Sequence, residues 1–318
     1  MLGTDAQGLK RLRENKGGQH FLRWLQYEKV TGKPLPDHAI SWFCSQEVKP
    51  DDLKFIQDRM SIVQICNYMR RQMRETRMSS KDLLITWSDY LSLAQGLGMD
   101  TNDAIIYRVR KLRQRHDELV ARYHQKELTV RASEIQKKYP NIEQICESIK
   151  GIYGFTDEEY TVVVPSCVKE IILEGEHLHH CVGDRERYWE RIERKESYVL
   201  FLRRTSDLQK PYYTLEIEPD GTIRQKRTMY DRQEADIEDA KKFLKKWQKE
   251  ISRRLTDEER ELAKTSRVLR EQEFAQLREN QVIINTGHLR GHLLVDVLME
   301  DLMETKESAT IPALPAAA

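Results

Sequence analysis

The stretch Glu174-Gly175-Glu176-His177-Leu178-His179-His180-Cys181-Val182-Gly183 gathers three histidines and a thiol beside two carboxylates. These are the side chains that hold zinc, move protons near neutral pH or attack electrophilic centres. Spacing limits each option. His177 and Cys181, four apart, could chelate on one helix face, but structural zinc sites draw ligand pairs from two places and no second pair is evident. Cys167 and Cys181 stand about 21 Å apart on a straight helix and could meet only if the chain breaks near Gly175. No metal is therefore expected, and no cofactor can be named. A thiolate needs a neighbouring base or positive potential. The side chain of His180 points about 100° away from that of Cys181 on a helix, and His177 is better placed. The competing reading is a buried Cys181 packing as a small apolar residue while His180 holds a hydrogen bond.

Two further constellations carry charge. Residues 212–218 alternate, which puts Thr214 and Glu216 on one face, with Arg203, Arg224 and Arg227 flanking and Gln225 beside them. A carboxylate held among arginines and histidines suits acid–base work or phosphate chemistry. Cross-strand ion pairing on a solvated sheet face is the simpler account of the same pattern. Arg108, Arg115 and Arg122 recur at heptad spacing within residues 101–123 and could line a phosphate backbone of DNA or RNA. Asp117 and Glu118 interrupt that run, so a solvated helix face is the rival reading.

These residues need elements to position them. The 318 residues are 39% hydrophobic and 33% charged, enough for one large or two ordinary domains with a real core. Lys and Arg number 53 against 52 Asp and Glu, so only local patches can select a partner. No apolar run approaches the roughly 20 residues that span a bilayer, and no membrane insertion is expected. Residues 1–13 lack the apolar core of a secretory signal. The five cysteines are scattered without a CxxC, which fits a reducing compartment. The expected location is cytoplasmic.

Residues 1–50 hold weak helix signals. Ile62, Ile65, Cys66, Met69 and Met73 follow helical spacing, trailed by Arg70, Arg71, Arg74 and Arg77. Ser79 or Ser80 caps a helix bearing Leu83, Trp87 and Leu91, which stops at Gly98. Thr101 caps a third helix with Ile105, Val109, Leu112, His116, Leu119 and Tyr123 on its apolar face. After residue 151 the period shortens. A strand over 160–164 leads to a helix capped by Ser166 that ends or bends at Gly175, and then to a short helix around Tyr188, Trp189 and Ile192. Strands follow over 197–203 and 212–218, with Pro219-Asp220-Gly221 as a hairpin turn and a return strand over 222–229. Asp231 and Glu234 form a capping box for a helix bearing Ala240, Phe243, Leu244, Trp247 and Ile251. Residues 256–280 read as a charged, solvated or partner-bound helical arm, and residues 288–303 hold a last short helix. The fold class is α+β. It comprises a helical N-terminal region (1–150), a small α+β domain with an antiparallel sheet (151–256), C-terminal helices (257–305) and a disordered tail (306–318).

The order Leu178-His179-His180-Cys181-Val182-Gly183, Tyr188, a strand ending at Arg203, Pro211-Tyr212-Tyr213-Thr214-Leu215-Glu216 and Gln225 resembles the PcfJ-like family. Trp87-Ser88-Asp89-Tyr90-Leu91 and His116-Asp117-Glu118-Leu119 look like that family's helical half, and the resemblance runs roughly from residue 60 to 255. It departs at Thr228 and Asp231, where glycine and asparagine are usual. The resemblance implies a mobile-element setting, conjugative plasmid or phage, without handing over a reaction. It points to His180, Cys181, Glu216 and Gln225 as candidate catalytic residues and to Tyr188, Arg203 and Thr214 as ligand-binding, and the charged hairpin adds Arg227 to the ligand-binding set. The expected role is an accessory protein acting on or beside nucleic acid, alone or with other mobile-element proteins. Whether it is an enzyme stays open, and a non-catalytic binding scaffold is the alternative.

Overall fold

Polar caps and bulky apolar stripes build the first part of the chain. In the computed structural model, which describes residues 3–305, α1 (Ala6–Glu14), α2 (Gln19–Thr31) and α3 (Asp37–Ser45) form where the sequence signals are weak. Their few apolar residues are large: Trp24 of α2 stacks on Phe43 of α3 with centroids 4.8 Å apart, an arrangement that adds to their area burial. α4 (Ile62–Thr76) and α5 (Ser80–Gly96) follow their predicted stripes. At the start of α4 the Gln64 amide N–H donates to Ser61 Oγ while the Ser61 amide donates to Gln64 Oε1, satisfying two otherwise orphaned donors. Ser79 caps α5 by accepting from the Asp82 amide at 3.1 Å.

The helix expected over residues 101–123 is broken. Asp103 caps a single turn, α6 (Ala104–Tyr107), and α7 (Leu112–Lys138) begins after a loop. Side chains from α4 and α5 hold the broken segment. Trp87 Nε1 donates to the Tyr107 carbonyl and Tyr68 Oη to that of Val109, both at 2.9 Å, and Gln72 Nε2 donates to that of Arg110 at 2.6 Å. Each satisfies a carbonyl of the segment between the two helices, which the break leaves without its helical partner. Gln72, fully buried, also accepts from the Leu112 amide at 3.2 Å and so starts α7.

Contacts divide the chain between Glu127 and Leu128, inside α7. In the second unit Leu128, Ala132 and α8 (Ile142–Tyr153) join the core of a five-stranded antiparallel sheet. The strands β1 (Phe155–Thr156), β2 (Tyr160–Val163), β3 (Tyr198–Arg204), β4 (Tyr213–Ile217) and β5 (Ile223–Arg227) lie side by side in chain order. Between β2 and β3 run α9 (Val168–Leu178) and α10 (Glu186–Glu193). After β5 come α11 (Ile237–Arg254), α12 (Asp257–Glu279) and α13 (Leu294–Asp301). The predicted order of strands and helices is present, with β1 added. On β4, Tyr213, Leu215 and Ile217 serve one face and Thr214 and Glu216 the other, yet all five are buried. The polar face is covered, not solvated.

Three expectations need correction. α9 runs through Gly175 to Leu178, because the missing Cβ admits backbone: one placed there would lie 2.9 Å from the Gly183 nitrogen. α11 starts at Ile237 with Asp236 at its cap position, while Asp231 sits in a one-turn 3-10 helix, Met229–Asp231, at φ 58°. α12 is no free arm: Ala263, Ser266 and Arg270 are buried, and Arg270 Nε donates to Glu218 Oε1 at 2.7 Å. Beyond α13 the chain returns to the sheet, where Met303 and Ile223 exchange amide-to-carbonyl bonds at 2.8 and 3.0 Å. The expected disordered tail, 306–318, lies outside the described residues. Among the described residues no helix is long and apolar enough to cross a membrane.

Candidate functional site

The residues singled out on the sheet meet because register aligns them. Thr214 stands opposite Phe201 and Glu216 opposite Val199, so Arg203 shares their face of the sheet. Across β4, Gln225 pairs with Glu216 and Arg227 with Thr214. α9 lowers Glu174, 2% exposed, onto this face. Arg203 grips it with both terminal nitrogens, Nη1 at 2.8 Å from Oε1 and Nη2 on Oε2. Such a two-pronged, charge-assisted pair fixes both planes.

His180 reaches the same cluster through a compact turn. α9 closes with His179 in the left-handed region, φ 51°, and its ring stacks on Tyr230 with centroids 5.0 Å apart. The chain then folds back as a 3-10 turn, Cys181–Gly183, directly over α9. A Cβ on Gly183 would sit 2.9 Å from the Ile172 Cα, so both glycines are needed for this approach. The Val182 amide donates to His180 Nδ1 at 3.5 Å, which leaves the ring proton on Nε2, 2.8 Å from Thr214 Oγ1. Thr214 passes its own proton toward Glu174 Oε1 at 3.2 Å. The result is a directional chain from imidazole through hydroxyl to carboxylate. Burial pushes the His180 imidazole below its usual pKa against the opposing pull of Asp231 and Glu174, so the ring is neutral at neutral pH.

Cys181 belongs to a different set of contacts. Both ring nitrogens of His180 are engaged elsewhere, and the Cys181 thiol instead approaches Tyr188 Oη at 4.0 Å. Arg187 Nη2 donates to that hydroxyl at 3.1 Å. Burial, reinforced by Asp231, raises the thiol's pKa, which keeps it protonated and weakly nucleophilic at neutral pH. Among the described residues no group of three His, Cys, Asp or Glu side chains is placed to share a metal ion.

Glu216 anchors a third set. It accepts from Arg191 Nη1 at 2.9 Å, Ser197 Oγ at 2.8 Å and Gln225 Nε2 at 3.2 Å. Burial pushes its carboxyl upward, but Arg191, Arg224 and Arg187 outweigh that and hold it below the usual value. The structure thus joins His180 to Thr214 and Arg203, and Glu216 to Gln225, while neither His180 nor Cys181 bonds Glu216 or Gln225. Arg227 is committed to Asp301 of α13 and to the Asp231 carbonyl. Sequence reasoning missed Arg191 and Ser197. The i, i+4 pair Arg187 and Arg191 on one face of α10 is the signal that could have found the first.

The first unit carries a separate feature, a groove of about 1740 Å³. One wall is α4, which presents Arg70, Arg71 and Arg74; the other brings Arg108, Arg110 and Lys111 from the loop and Arg115 and Arg122 from α7. The predicted stripe is therefore not one helix, because Arg108 precedes the break, yet Arg108, Arg115 and Arg122 line the same groove. Glu118 is the one carboxylate on its lining, paired with Arg115 at 2.6 Å. Among the described residues, six of the eight cations have no carboxylate within ion-pairing distance; only Arg115 and Arg71, which reaches Glu75 at 3.8 Å, do. The α4 arginines were visible in the sequence, but their facing the loop was not.

A family model described as PcfJ-like protein matches residues 86–244. Over 139 residues the chain is 28% identical to an uncharacterized protein, Lin1253/Lin1744, of Listeria innocua serovar 6a. That stretch covers 44% of this chain and 28% of the relative. No solved structure matches.

Proposed function

The chain belongs to the PcfJ-like family, and from that premise we propose that it is a cytoplasmic accessory protein of a mobile genetic element that binds nucleic acid through the groove of its first unit. The observation that carries the reading is the concentration of eight cations around one carboxylate, in a chain whose overall charge is only +1. Like charges so gathered repel one another, and a phosphate backbone relieves that repulsion while releasing its condensed counterions. The second unit is a separate place of interest. Its buried chain from His180 through Thr214 and Glu174 to Arg203 and its Glu216 cluster occupy the sheet's polar face and are where proton-transfer chemistry would be sought.

The test is a titration of labelled oligonucleotide into the full chain at two salt concentrations. Engagement of about five phosphates predicts an affinity loss of roughly 100- to 500-fold between about 50 and 200 mM salt. The triple variant Arg74→Glu, Arg108→Glu, Arg115→Glu, checked for parent-like helicity, should not bind. Binding that survives the triple change would remove the groove from the mechanism. No binding at low salt in the parent would hand the lead to a non-catalytic scaffold.

A further inference from the structure

We propose that the groove is shaped for a single-stranded polynucleotide whose bases stack at Trp42 and Arg70, an inference that rests on the phosphate-binding reading above. Shape is the first argument. Proteins that read a duplex push a helix or ribbon into its major groove. Here the cations line a concavity between α4 and the segment from Arg108 to Arg122. A flexible strand can lie within such a trough and follow it with its phosphates.

The second argument is the placement of tryptophan. The chain has five. Trp24, Trp87 and Trp247 are fully buried and Trp189 is 3% exposed. Trp42 alone is partly exposed, and it lines the groove. The Arg70 guanidinium lies over its ring, 5.1 Å from the centroid. Trp42 packs edge-on against Phe43 of the core, 5.2 Å between centroids, yet unlike the other four it keeps part of its ring open to the groove. A partly exposed indole with a guanidinium over its ring gives the cationic wall planar groups against which a base can stack irrespective of its identity. Phosphate binding alone has no use for either plane. Ile105 of α6 also lines the groove and is 77% exposed, which suits contact with the apolar part of a nucleotide.

Intrinsic tryptophan emission tests this directly, because Trp42 is the indole a ligand in the groove can reach. The full chain is titrated with homopyrimidine DNA and RNA strands, with a blunt duplex of equal length, and with inorganic polyphosphate as a backbone-only probe. We expect either strand to bind at least about tenfold more tightly than the duplex and to quench the emission. Polyphosphate should compete without quenching. Trp42→Leu should abolish the quench and weaken strand binding roughly tenfold while leaving polyphosphate competition intact. Arg70→Lys keeps the charge but loses the plane, and should weaken the strand more than polyphosphate; it serves if Trp42→Leu fails to fold. A duplex that binds as tightly as the strand, or strand binding without quenching, would overturn the single-strand proposal and leave the phosphate reading standing. Failure of every polyanion to bind at low salt would overturn both.

Discussion

Replacing Thr214 with valine isolates the hydroxyl at the centre of the buried chain. Valine keeps the branched shape and the strand preference, so backbone propensity does not confound the result. The change deletes an oxygen joined to His180 Nε2 at 2.8 Å and to Glu174 Oε1 at 3.2 Å. His180 is then left with a buried N–H and no acceptor, at a cost of about 1–3 kcal/mol. Glu174 keeps both bonds to Arg203, so no uncompensated charge adds to the penalty. A loss of about 2 kcal/mol is expected, which for a unit of roughly 180 residues lowers the melting temperature by about 4–8 °C. Urea and thermal unfolding of the full chain would measure it, with hydrogen exchange at the β4 amides to assign the loss to the second unit. Thr214→Ser should recover most of the stability. In a His180→Phe background the valine change should cost about 1 kcal/mol less, because the orphaned donor is gone. A valine variant within about 0.5 kcal/mol of the parent, or an equal penalty in both backgrounds, would refute the proton chain as a source of stability.

Gly175→Ala should destabilise by about 1–3 kcal/mol despite alanine's better helix propensity, because the new methyl meets the Gly183 backbone at 2.9 Å and backbone cannot rotate aside; a variant as stable as the parent in the same unfolding assays would show that the turn yields. Asp301 gives a pH signature. Burial, against the pull of Arg227 and Lys226, raises its carboxyl to about 6, whereas the unfolded chain sits near about 3.9. Between those values the folded state holds the extra proton, so stability contributed by this group falls as pH rises from about 4 to about 6, by an order of 2–3 kcal/mol. Asp301→Asn should flatten that part of the stability–pH curve, and an unchanged curve would place the raised carboxyl elsewhere.

Much of the second unit was legible because it obeys simple periods. The two-residue alternation of β4 sorts Thr214 and Glu216 from Tyr213, Leu215 and Ile217 without knowledge of any neighbour. What periodicity cannot see is a face buried by charge. Ser266 and Arg270 look like solvent residues, so α12 read as an arm; in the fold Arg270 answers the Glu218 carboxylate that Arg224 also binds. Nor can apolar spacing foresee that the third helix breaks at residues 108–111, where side chains from α4 and α5 bond the carbonyls of residues 107, 109 and 110. At the candidate site the residue types were legible, and their grouping was not. Adjacent in sequence, His180 and Cys181 part company at the turn, one toward Thr214 and the other toward Tyr188.

The bridge between Met303 and Ile223 bears on how the chain is made. β5 is the outer strand on its side of the sheet, and an open strand edge is a template for pairing with another chain. Here the seal comes from backbone roughly 75 residues further on, with Lys226 and Arg227 reaching to Asp301 beside it. At ribosomal speeds that separation leaves the ladder uncovered for roughly 4–15 s after β5 emerges. During that interval the β5 edge is open to pairing with a neighbouring nascent chain, and the C-terminal return is what closes it.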